Sequence, residues 1–186
     1  MPMDDLDVLA SVLDKDGALL AAVGPGLGTR TTPCTEFDVD ALVKHLVGWT
    51  QVFAAAANGK TFEGDPTAYA SADPAGDFEA LATSMMVGWR EGGTDRKVRM
   101  VGSEIPAQMV LNMTLMEYVT HGCDLALATG QEVPFSDGEL SLALERARVT
   151  LPDEYRGDGK GFDVAIDVPD SAPALERLLG FMGRRV

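Results

Sequence analysis

Residues 105–129 constrain this chain more than any other segment. Read as a helix, they are apolar over most of the circumference, through Val110, Met113, Leu115, Met116, Val119, Leu125 and Leu127. A helix of that kind is covered by other elements and does not lie on a surface. Three groups that can carry charge near neutral pH break the pattern: Glu117, His121 and Asp124. A carboxylate in such a helix requires a cation or strong hydrogen bonds, because an isolated buried charge is very costly. Glu117 and His121 are four residues apart, about one turn, and project from one face with Cβ atoms roughly 6 Å apart.

The covering elements follow from apolar periodicity and its breakers. Leu6, Leu9, Val12, Leu13, Leu19 and Leu20 predict a first helix over 5–22, uneven around Gly17 and closed by Gly24-Pro25-Gly26. Asp38 is the expected N-cap of a second helix over 39–57, which Asn58-Gly59 ends. A polar stretch over 60–75 leads to a third helix over 75–90, with Phe78, Met85 and Trp89 in its buried stripe and Gly92-Gly93 as its stop. The segment RKVRMVGSEIPAQ allows a short extended stretch, and Pro106 fits the first turn of the helix over 105–129, which Gly130 terminates. A fifth helix over 136–149 should pack outside. The tail holds one alternating run, Phe162 to Val168, and a short helix over 173–182. The expected fold is all-α: an antiparallel four-helix bundle with peripheral C-terminal helices and a short extended segment, in a single domain spanning 1–186.

The chain has only two histidines. His45 lies on the helical face that carries Leu42, Leu46, Trp49 and Phe53, which points into a bundle. With Glu117 and His121 it would give three inward ligands from two helices, a set that suits a divalent metal with open coordination positions. Asp124 could orient a ligand imidazole from behind, bond a loop amide or face solvent. Spacing alone does not decide: with 29 acidic residues in 186, an acid within a turn of a helical histidine is common. A satisfied His–Glu core pair stays open beside the metal site. Trp49 and the methionines Met85, Met86, Met109, Met113 and Met116 read as core filling. Cys34 and Cys123 form no CxxC pair and are expected as reduced thiols; no basic residue adjoins Cys34 in sequence. Cys123 is two residues past His121, about 200° around the helix.

Fifteen basic against 29 acidic residues give a net charge of −14, which opposes binding to nucleic acid or an anionic membrane. No run of about 18 apolar residues is free of polar interruption, and the N-terminus is acidic where a signal peptide would be basic. These features predict a soluble cytoplasmic protein whose partner is a small-molecule substrate or another protein, with a homodimer left open. No Ser-His-Asp set, P-loop or strand-linked GxGxxG is present, so hydrolase, kinase and dehydrogenase readings fall away.

Three segments, TTPCTEFDVDALVKHLVGWTQVFAAAANG, MEYVTHGCDLALATG and APALERLLGFMGRR, resemble actinobacterial proteins related to the metal-binding domain of mycothiol-dependent maleylpyruvate isomerase, within the DinB-like (YfiT-like) superfamily. The likeness runs over nearly the whole chain. It implies a DinB-like bundle and, by motif position, His45, Glu117 and His121 as ligands of a divalent metal. Zinc is the first expectation, with nickel or another divalent ion as the alternative, and mycothiol is the implied thiol. The implied activity is a metal- and thiol-dependent transferase or isomerase-like reaction; the alternative is a non-catalytic, metal-stabilised binding or regulatory bundle. Two departures are visible. The full isomerase has a further C-terminal domain that 186 residues leave no room for, and Glu36-Phe37-Asp38 stands where relatives tend to have Gly-Trp-Thr, which questions the cap of the second helix.

Overall fold

A computed structural model describes residues 4–158 and 162–185 of the chain. The described residues are mostly helical. The elements, in order, are α1 (Asp5–Ala21), α2 (Val39–Ala57), α3 (Pro74–Gly92), β1 (Lys97–Met100), β2 (Ser103–Pro106), α4 (Ala107–Thr129), α5 (Asp137–Thr150) and α6 (Ala174–Phe181). The four long helices close around one core in the cyclic order α1, α3, α2, α4, each packing on two others. Leu9, Leu42, Leu46, Phe78, Met85, Trp89, Leu111, Leu115 and Tyr118 fill it. Burying one such side chain contributes about 1.5–3 kcal/mol. α5 packs on the outer side of α4, and α6 packs on α5.

Local chemistry sets the helix ends that position the site. Asp38 accepts the Ala41 N–H at 2.9 Å, so α2 is capped despite the unusual Glu36-Phe37-Asp38 turn. Gly130, at φ 74°, ends α4 in the left-handed conformation that glycine adopts without strain. Ser136 and Glu139 form a reciprocal capping box at the start of α5.

Four details refine or depart from the sequence reading. Gly17 does not disturb α1, because its surroundings are ordinary: a Cβ there would meet only the Phe78 ring at 3.8 Å. Pro106 ends β2 and precedes α4 in extended conformation, so the helix begins at Ala107. The extended stretch is a complete antiparallel hairpin, with Lys97 opposite Pro106 and Met100 opposite Ser103. Its turn places Val101 at φ 47° and Gly102 at φ 79°, the two positive values that match the twist of a two-residue hairpin. Finally, the run Phe162 to Val168 is not a strand. Beyond a single bridge from Arg156 to Phe162 it lacks a pairing partner among the described residues and crosses α6, where Ile166 donates to the Gly180 carbonyl at 2.8 Å. A Cβ on Gly180 would overlap Val168 Cγ2, so a larger residue there would push Val168 aside and loosen the crossing. No described helix is long and apolar enough to cross a membrane.

Candidate metal centre

Because α2 packs against α4, their inward faces bring His45, Glu117 and His121 together. His45 Nε2 lies 2.5 Å from Glu117 Oε1, and His121 Nε2 lies 3.5 Å from the same oxygen. The two imidazole centroids are 4.9 Å apart. Phe37, in the turn before α2, lies with its ring centroid 4.6 Å from that of His45 and 5.8 Å from that of His121, restricting both rings. Burial pushes the Glu117 carboxyl up, but the charge of His121, the hydrogen bond and charge of His45 and the Arg184 guanidinium outweigh it and hold the group near 2. Glu117 is thus an anion at neutral pH.

Behind His121 stands Asp124, fully buried on the same helix. Its Oδ2 is 3.0 Å from His121 Nδ1 and 2.9 Å from Arg184 Nη2. A carboxylate only accepts, so Nδ1 of His121 carries a proton and the ring is held with Nε2 directed toward Glu117. Burial raises the Asp124 carboxyl, yet the His121 hydrogen bond and the Arg184 charge bring it below its ordinary value. Arg184 reaches this position from the segment after α6, and its Nη1 donates to the Met182 carbonyl at 2.7 Å. A four-residue chain therefore runs Arg184, Asp124, His121, Glu117.

One wall of the cluster faces a cavity of about 350 Å³. Trp49, Met113 and Met116 line it, so these side chains form a pocket wall as well as packing on the core. Cys34 lines it too and offers its sulfur near His121 and Asp124. The fold supplies the cation that local sequence lacked, since Arg184 acts to lower the Cys34 thiol, but burial dominates and pushes it up. Cys123 is buried and its thiol is pushed far up by desolvation. Neither is an activated nucleophile.

Comparison with known proteins places the chain in a family. The sequence profile of the mycothiol maleylpyruvate isomerase N-terminal domain matches residues 10–126. The chain belongs to that family. It is also similar to two uncharacterized proteins of Mycobacterium tuberculosis, from strains CDC 1551 / Oshkosh and H37Rv, each 31% identical over 187 residues, covering 99% of this chain and 100% of the relative. No solved structure matches it. The family match takes in His45, Glu117, His121 and Asp124 but stops short of Arg184. Sequence reasoning missed Arg184; the available signal was its place at the end of the third resembling segment, GFMGRR.

The residues of this family member fit a divalent cation on their own chemistry. Two imidazole nitrogens and one carboxylate oxygen form a borderline N/O set, and all three donor atoms lie within 4.8 Å of one another. Tetrahedral ligands at ~2.1 Å from one ion stand ~3.4 Å apart. The His121–Glu117 separation of 3.5 Å already matches that, and the His45–Glu117 contact of 2.5 Å is a hydrogen bond that binding would replace.

Proposed function

We propose that His45, Glu117 and His121 hold one divalent cation, zinc in the first instance, within a DinB-like helical bundle, and that the centre serves thiol-dependent transfer or isomerisation with mycothiol as the thiol. The observation that carries this reading is the convergence of three donors on the wall of an open cavity. A structural ion sits in a closed shell, whereas a catalytic one keeps a position free toward a ligand pocket. When bound, a divalent cation lowers the pKa of a thiol at that position by stabilising its anion.

The chain's own residues supply the rest. Asp124 fixes the His121 tautomer, and Arg184 holds Asp124 as the anion that this requires. Glu117 contributes negative charge, while Phe37 keeps the His45 ring in place. The aromatic and thioether wall excludes water from the reacting groups. Neither protein cysteine takes part.

The test is a thiol-transfer assay with zinc-loaded protein, mycothiol and a panel of electrophiles. His121→Ala should lose both bound zinc and turnover, whereas Cys34→Ser and Cys123→Ser should keep both. A Cys34 variant that retains zinc but loses turnover would transfer the nucleophile to the protein. Intact zinc with no thiol-dependent turnover would leave a metal-stabilised binding protein.

A further inference from the structure

The charge around the cavity bears on what enters it. Phe37, Trp49, Phe53, Met113, Met116 and Phe162 form its apolar lining. Glu36 and Asp163, both exposed, add two carboxylates to the lining, and Glu117 lies on its wall. Against these three acids the described lining has a single guanidinium, that of Arg184. That group is already occupied: Nε and Nη2 face Asp124, and Nη1 donates to Met182. No lysine lines the cavity among the described residues. Away from the cation position itself, where His45 and His121 are engaged with Glu117, an entering carboxylate or phosphate would therefore leave water for a predominantly apolar surface, approach two like charges and find no uncommitted cationic side chain on the described lining.

We infer that the cavity selects an uncharged, apolar aromatic ligand of up to three rings and discriminates against anions. The inference rests on the reading that this cavity is the substrate site, and it names the class of co-substrate. Size agrees: about 150 Å³ of apolar void suffices for benzene, and this cavity holds about 350 Å³. Flat aromatic and thioether walls match a ring ligand through offset stacking and sulfur–aromatic contacts. Glu36 and Asp163 act as specificity determinants through repulsion and touch no reacting atom.

The experiment uses a matched pair of fluorescent probes, neutral N-phenyl-1-naphthylamine and its sulfonated counterpart 8-anilino-1-naphthalenesulfonate, titrated into the full chain with and without zinc. A sulfonate adds charge without being a strong metal ligand. The neutral probe should bind with energy transfer from tryptophan that falls in Trp49→Phe, because Trp49 lines the cavity and Trp89, which does not, supplies only the remaining transfer. The sulfonate should bind at least about tenfold more weakly, and the double variant Glu36→Gln with Asp163→Asn should narrow that ratio by about threefold. Equal or tighter binding of the sulfonate overturns the inference. So does absence of neutral-probe binding, or transfer unaffected in Trp49→Phe. Failure of zinc to load would count against the metal reading and leave the probe result on the metal-free protein standing by itself.

Discussion

Glu117 and Glu139 are both carboxylates held near 2, both tie two helices together, and only one is built to bind something. Glu139 at the start of α5 is saturated. Its Oε1 accepts from Ser11 at 2.8 Å and from Lys15 at 2.6 Å, and its Oε2 accepts from Lys15 and from the Ser136 hydroxyl and backbone N–H. Its partners are an ammonium, two hydroxyls and a backbone N–H, all spent as donors to the carboxylate. Glu117 instead meets two imidazoles, whose nitrogens can exchange a proton for a metal, and it opens on a cavity. A depressed carboxyl therefore marks buried electrostatics in general. Partner chemistry and access separate a structural clamp from a candidate ligand.

The comparison can be broken most forcefully at the clamp. Glu139→Ala removes a helix cap and leaves Lys15 without its partner, which should destabilise the fold by about 3 kcal/mol while zinc affinity stays unchanged. Urea denaturation and a chelator-competition titration measure the two. The pH dependence has a defined sign. Burial raises the Glu139 carboxyl, but Lys15 and Ser136 outweigh it and leave it below its unfolded value of 4.5, so its contribution is complete above that pH and is lost as pH falls toward about 2. A Glu139→Ala protein should accordingly lose less stability than the parent over that acid range. Loss of zinc affinity with unchanged stability would mean the two clusters have been assigned the wrong way round.

A smaller effect sharpens the other side. Arg184→Met keeps the apolar stem but frees Asp124, and it should weaken zinc binding about tenfold to a hundredfold, the usual scale for groups behind a ligand histidine. Asp124→Asn should do the same. If Arg184 merely anchors the C-terminal segment, stability will fall in Arg184→Met and zinc affinity will not.

What the sequence made legible follows interaction range. Asp38, Gly130 and the four-residue spacing of Glu117 and His121 are local signals, and the structure places the caps and the shared helical face where those signals point. Arg184 pairs with a residue 60 positions away, and nothing near it in sequence indicates a buried ion pair. Asp16 was equally hidden. It lies in α1 beside Lys15, fully buried with no hydrogen-bond partner among the described residues, and desolvation raises its carboxyl well above the ordinary range. Room for it comes from Gly122 on α4, where a Cβ would fall on its oxygen. The alternation of Phe162 to Val168 is real, but it reflects packing across α6 and not a sheet, because alternation reports which side chains are covered and not what covers them. Trp49 and the methionines of α4 illustrate the same limit: an apolar face reads identically whether it meets another helix or lines a pocket.

The central claim is that His45, Glu117 and His121 form one cation site. Chelator-competition titration of untagged, metal-stripped protein with zinc tests it directly, alongside Glu117→Gln, which preserves packing volume while removing the anionic oxygen. The account predicts one zinc per chain in the parent and at least about a tenfold loss of affinity in the variant, with helical circular dichroism unchanged. Equal zinc binding by parent and variant, or none by the parent, would contradict it.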